Sequence, residues 1–225
     1  MSVGTVLHLS PHPDDELIGT PATLMALRDE GWRVVNLACG LGAPEQRQRR
    51  EAELREACRR AGFELLVPEP LPRIDQGADR AAARAELTAA IGTALGELRP
   101  QVVVAPSPGD VHPTHELVGE VAGEALAARG ADGPRLWLWS LWGPPPRPTF
   151  ATGFGEERLG EILHALAAHR GELERNDYAR LVRARAEAAA CLAPELLDGF
   201  GAAGSSDSLP YAELLTEVSF RTGGA

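Results

Sequence analysis

The 225-residue chain has no lysine; all 22 of its basic residues are arginine. That absence excludes Schiff-base and pyridoxal phosphate chemistry and the phosphate-binding P-loop, each of which uses a lysine amine. No apolar run approaches the roughly 20 residues that cross a bilayer, so no transmembrane segment is expected. The opening MSVGTVLHLSP lacks a charged start followed by a long apolar stretch, and no secretory signal is expected from it. Cysteine is scarce: Cys39, Cys58 and Cys191 are too few and too scattered for a disulfide framework or a thiolate metal site, which fits a reducing cytoplasm. Positive charge is also outweighed, 22 basic residues against 32 acidic ones giving -10. A chain of that sign gains no counterion-release affinity for phosphate backbones, so nucleic acid is not an expected partner.

What is present is an alternation of two hydrophobic periods. Strands are expected at residues 6–9, 33–38, 64–67, 101–105 and 136–140. Helices are expected at 17–30, 46–61, 80–98 and 114–129, with Gly31 and Gly62 as stops after the first two. Residues 68–78, with Pro68, Pro70 and Pro72, read as loop, and so does the Pro-rich 143–148. Two more helices are expected at 156–170 and 178–192, a flexible Gly/Ser/Ala-rich segment at 199–208, and a last strand at 216–220. Repeated strand–helix–strand units imply an α/β fold, a single Rossmann-like domain over residues 1–225 with a mostly parallel sheet flanked by helices. Ligands in such sheets bind beyond the carboxyl ends of the strands. Gly40 and Gly42 after the second strand read as a turn at the cleft rim, since a GxG without its third glycine is a weak nucleotide signal.

Two clusters of chemistry-bearing residues fall at those strand ends. The first is Ser10-Pro11-His12-Pro13-Asp14-Asp15-Glu16. Three carboxylates so close repel one another, and a helix N-terminus offers only about half a charge against them, whereas a divalent cation offers more. Asp14 and Asp15 could alone be helix caps; His12 three positions before Asp15 turns the reading toward metal. The second cluster is Asp110-Val111-His112-Pro113-Thr114-His115, with two histidines three apart. His8 lies within a strand, where core packing or an orienting hydrogen bond is expected. His164 and His169 receive no role.

His12-Pro13-Asp14-Asp15-Glu16 after a short strand, paired with a downstream His-x-x-His, resembles the LmbE/PIG-L family of zinc-dependent N-acetyl-sugar deacetylases. Arg50 and Glu53 in a helix ending at Gly62, and the stretch from His169 to Arg185, match as well; the likeness runs over residues 5–190. By that resemblance His12, Asp15 and His115 hold one Zn2+ per chain, Asp14 is the general base, and His112 stabilises the oxyanion or protonates the departing amine. Two nitrogens and a carboxylate leave zinc with open positions, as a catalytic site requires. Glu16 and Asp110 are expected to orient imidazoles. Arg50 is either a substrate contact or one member of an ordinary helix-surface ion pair. Trp137 and Trp139 are expected in the core, and Trp142 at the strand exit as a flat platform for a sugar ring or acyl chain.

The expected activity is removal of an N-acyl group, acetyl first, from a small-molecule amino sugar or its conjugate. Two alternatives stand beside it: an amidase for a thiol conjugate or an acylated secondary metabolite, and a Rossmann-type nucleotide binder without hydrolytic activity. The downstream motif departs from the family's His-Pro-Asp-His by carrying Thr114. The sequence leaves open whether the chain forms a homo-oligomer.

Overall fold

The computed structural model describes residues 2–75, 77–143, 146–201 and 209–220. Its frame is a seven-stranded sheet in the order β3-β2-β1-β4-β5-β7-β6. β1 (Thr5–Ser10), β2 (Arg33–Ala38), β3 (Glu64–Leu66), β4 (Val102–Pro106) and β5 (Arg135–Trp139) run parallel, while β7 (Tyr211–Val218) lies antiparallel between β5 and β6 (Phe150–Phe154).

Strand residues alternate between two apolar layers, one on each face. Val6, Val34, Val102 and Trp137 pack toward α1 (Asp15–Ile18), α2 (Pro21–Asp29), α3 (Arg47–Ala61), α6 (Glu156–Leu166) and α8 (Tyr178–Leu197). Leu7, Val35, Val103 and Leu136 pack toward α4 (Arg80–Leu98) and α5 (Pro113–Ala127). Both faces are covered, which is why β4 is buried along its whole length and reads as a continuous apolar run. Trp137 and Trp139 lie in the first of these layers, as alternation along β5 requires.

β1 is followed in space by β2 on one side and β4 on the other, so the strand order reverses between β1 and β4. A crevice opens at such a switch point beyond the carboxyl ends. The loops that leave β1 and β4 there are the two that carry His12 to Glu16 and Asp110 to His115.

The structure differs from the sequence expectations in several elements. The helix expected over 17–30 is two helices, broken at Gly19 and Thr20. Pro21 starts α2, and the half-buried Glu213 of β7 accepts from the backbone of Ala22 and Thr23 and from the hydroxyls of Thr20 and Thr23, capping the helix from across the molecule. The helix expected over 156–170 ends at Leu166 and is followed by the short α7 (Arg170–Arg175). α8 runs five residues past the expected end, through Pro194. The last strand begins at Tyr211, and β6, which pairs with it, was not foreseen. The expected flexibility of 199–208 falls largely outside the described residues. No helix among the described residues is long and apolar enough to cross a membrane.

Candidate active site

β1 ends at Ser10, and the chain then turns twice before α1. Asp14 makes the sharper turn with φ at 119°, a left-handed conformation that costs a non-glycine residue about 1–3 kcal/mol. Surrounding bonds hold it there. The Asp14 N–H donates to Glu16 Oε2 at 3.0 Å, and the Asp14 carbonyl accepts from Leu17 and Ile18 at 2.8 and 2.9 Å. Asp14 and Asp15 could have served merely as helix caps, but the Asp14 side chain makes no cap bond.

Asp15 is buried, and its Oδ2 is the meeting point of the site. It accepts from the His12 backbone N–H at 2.8 Å and lies 3.2 Å from His12 Nδ1 and 3.4 Å from His115 Nε2. His12, His112 and His115 each offer a nitrogen, and the three atoms lie within 4.8 Å of one another. His112, expected to act on the reacting groups, is therefore as close to the other imidazoles as the expected ligands are.

The second loop is fastened by Asp110. Its carboxylate lies 3.3 Å from His115 Nδ1 and accepts from the backbone of Leu141 at 2.9 Å and Trp142 at 3.1 Å, tying the β4 loop to the end of β5. With Nδ1 turned to a carboxylate, His115 presents Nε2 to the site, and this buried atom has no hydrogen-bond partner among the described residues. His112 caps α5, its Nδ1 accepting from Thr114 N–H at 3.3 Å.

Burial opposes the charge on Asp15, yet the adjoining His115 and His12 outweigh it and hold the carboxyl below its ordinary range. Burial likewise works against a charged His115, but Asp15 and Asp110 push it up to about 10. The two carboxylates thus demand positive charge where His115 Nε2 points. A divalent cation meets that demand, and two or three imidazole nitrogens with one carboxylate oxygen form a donor set suited to zinc or a related metal. His112 is pushed down to about 4 by burial and then by the other two imidazoles. Burial raises Asp14 well above an ordinary carboxylate; Asp15, Glu16 and Glu172 add to the effect, and Arg50 opposes it.

A cavity of about 520 Å3 opens above these groups. Arg50 and Trp142 both line it. Arg50 pairs with Glu172 at 2.9 Å rather than with Glu53, which pairs with Arg49 and accepts from Gly171 N–H. Gly42, with φ at 77°, gives room to that arginine: a Cβ there would lie 2.2 Å from Arg50 Nη1. The space over the second glycine of the GxG turn holds the Arg50 guanidinium.

Glu16 orients neither expected ligand. Its Oε1 lies 2.6 Å from Nε2 of the fully buried His169. His8 takes the expected orienting bond, Nδ1 to Asn36 Oδ1 at 2.7 Å. Sequence reasoning missed His169, Glu172, Arg175 and Tyr178, the last three of which also line the cavity. Their one signal was the stretch from His169 to Arg185, whose likeness was noted as a whole without roles for its members.

The GlcNAc-PI de-N-acetylase family (PIG-L) matches residues 7–126, just over half of the chain, with both loops inside the match. No curated protein matches the chain. Among solved structures, N,N'-diacetylchitobiose deacetylase from Pyrococcus horikoshii is 20% identical, with a TM-score of 0.66 over 96% of this chain and 84% of that one. The zinc-inhibited form of teicoplanin deacetylase is 16% identical, with a TM-score of 0.69 over 95% and 98%. The 4-carboxy-2-hydroxymuconate hydratase of Pseudomonas putida KT2440 is 15% identical, with a TM-score of 0.72 over 99% of both chains. At such identities the likeness concerns the fold, and the hydratase shares it with the deacetylases. The family match carries more: the chain belongs to the GlcNAc-PI de-N-acetylase (PIG-L) family and is an enzyme of the deacetylase class, acting on an amide bond.

Proposed function

We propose that the enzyme removes an N-acetyl group from an amino sugar or amino-sugar conjugate, using one zinc ion held by His12, Asp15 and His115. The observation that carries this reading is the convergence on Asp15 Oδ2 of His12 Nδ1 at 3.2 Å and His115 Nε2 at 3.4 Å, at the base of an open cavity. When bound, the metal supplies Lewis acidity toward a carbonyl and lowers the pKa of water, toward about 7 for zinc.

The chain's own groups complete the chemistry. Asp14, a carboxylate of raised proton affinity facing the same cavity, takes a proton from the attacking water. Because His112 Nδ1 already accepts from the Thr114 N–H, the neutral ring carries its proton on Nε2. That N–H suits stabilisation of the oxyanion as the amide carbon becomes tetrahedral. The proton held by Asp14 is then available to the departing amine. Asp110 keeps His115 in the ligating tautomer, Arg50 offers hydrogen bonds to the sugar, and Trp142 offers an apolar face.

The test is metal analysis of the purified protein followed by an acetate-release screen over N-acetylated amino sugars, thiol conjugates and acylated amines. One metal per chain with stoichiometric acetate and free amine is expected.

A further inference from the structure

We propose that His169 is a positioning residue for this reaction: through Glu16 it sets the backbone of Asp14 and hence the aim of the base. The inference rests on the deacetylase reading above and concerns a residue outside the two motif loops.

His169 precedes α7 and is completely buried. Its Nε2 lies 2.6 Å from Glu16 Oε1 across 153 positions of sequence. The other oxygen of that carboxylate accepts the Asp14 N–H at 3.0 Å. The peptide before Asp14 is therefore held by Glu16, and the peptide after it by the first turn of α1. Asp14 needs both holds, because its φ of 119° is one that an unsupported aspartate leaves. Glu16 in turn is fully buried, and a buried carboxylate keeps one orientation only while donors satisfy it. His169 is its donor on the side away from Asp14.

Packing alone does not account for this residue. His169 Nδ1 is buried without a hydrogen-bond partner among the described residues, so the ring carries a polar cost that an apolar side chain would avoid. The arrangement is also anchored beyond itself. α7 is fixed to α3 by Gly171 N–H on Glu53 and by Glu172 on Arg50, so the imidazole is presented from a braced element.

The experiment compares His169→Gln, His169→Asn and His169→Ala. A glutamine amide reaches the position of Nε2, whereas asparagine reaches only that of Nδ1. Metal content and KM are expected to stay unchanged in all three, with kcat falling about 10–100-fold for Asn and Ala and largely restored by Gln. In an Asp14→Asn background, His169→Ala should cost less than about twofold more, because the two residues act in series. Amide exchange at Asp14 in the metal-free protein reads the same link without activity: slow in wild type and His169→Gln, faster in His169→Asn. An Asn variant as active as Gln, equal exchange in the two, or an undiminished His169→Ala loss without Asp14 overturns the proposal. Should His169→Ala fail to fold, the Gln and Asn pair decides. A wild-type protein that releases no acetate overturns the deacetylase reading instead, while the exchange measurement still decides the positioning role.

Discussion

The loops after β1 and β4 reach the same cavity but are held by different means. The β4 loop is braced from itself and from the end of the next strand: Asp110 gathers the backbone of Leu141 and Trp142 and the ring of His115, and His112 caps its own helix. The β1 loop is braced from the far end of the chain. Glu16 meets His169, Arg185 of α8 donates to the Ile18 carbonyl at 2.5 Å, and Glu213 of β7 caps α2. Imidazoles on a helix start need only a local frame to point them. A loop with three buried carboxylates and a left-handed aspartate needs an outside scaffold, because its own preference is to relax.

The harshest way to break the comparison is to remove a nitrogen from each side. His12→Ala and His115→Ala should each lose the metal and reduce activity to background, with the far-ultraviolet spectrum retained because both residues sit at loop–helix junctions. Metal analysis beside circular dichroism checks this. Full metal occupancy in either variant would remove that residue from the ligand set and leave His112 as its replacement.

Asp14→Asn comes next. The amide keeps the shape of the side chain but cannot accept a proton, so metal content should be unchanged while kcat falls by about 10²-fold or more. If the metal is lost instead, the roles of Asp14 and Asp15 are exchanged. Asp110→Asn tests the other loop: the His115 ring loses its anchor, and metal affinity should weaken about 10–100-fold, measured by competition with a chelator.

These loops also explain what could be read from the chain in advance. β1 to α5 were legible because each strand and helix there carries its own period and stop, such as Gly62 with φ at 73° after α3. The motif residues stood out because His12 and Asp15, and likewise His112 and His115, lie three positions apart at one strand end. The break at Gly19 and Thr20 was not, since what caps α2 is Glu213, about 190 positions away. β6 lacks a buried face along most of its length and exists through its pairing with β7. His169 looked unassigned because its partner, Glu16, is as remote in sequence as it is near in space. Local chemistry is written locally, and the scaffold of the β1 loop is not.

Removing part of that scaffold should cost stability more than chemistry. Glu213→Ala strands the N–H groups of Ala22 and Thr23 and the two threonine hydroxyls in a buried place. A loss of about 1–3 kcal/mol is expected, seen as a lower midpoint in urea with an unchanged slope. Metal content at low temperature should stay near one per chain. A variant of full stability would mean that Thr20 and Pro21 start α2 without help.

The smallest effect is expected at the rim, where the β4 side offers Trp142. Its backbone N–H donates to Asp110 at 3.1 Å, and that bond survives truncation of the side chain. The indole is 43% exposed and lines the cavity, so Trp142→Ala removes an apolar surface and nothing that holds the metal. A sugar face or acyl chain resting there would lose about 0.5–1.5 kcal/mol, which corresponds to a KM raised roughly 2- to 10-fold. kcat should not move, because contact with a part of the substrate that does not react stabilises ground and transition states alike. The measurement is kcat and KM on one acetylated substrate for both proteins. A fall in kcat at constant KM would mean that the ring acts through Asp110 on His115. The β4 loop would then depend on its rim as the β1 loop depends on α7.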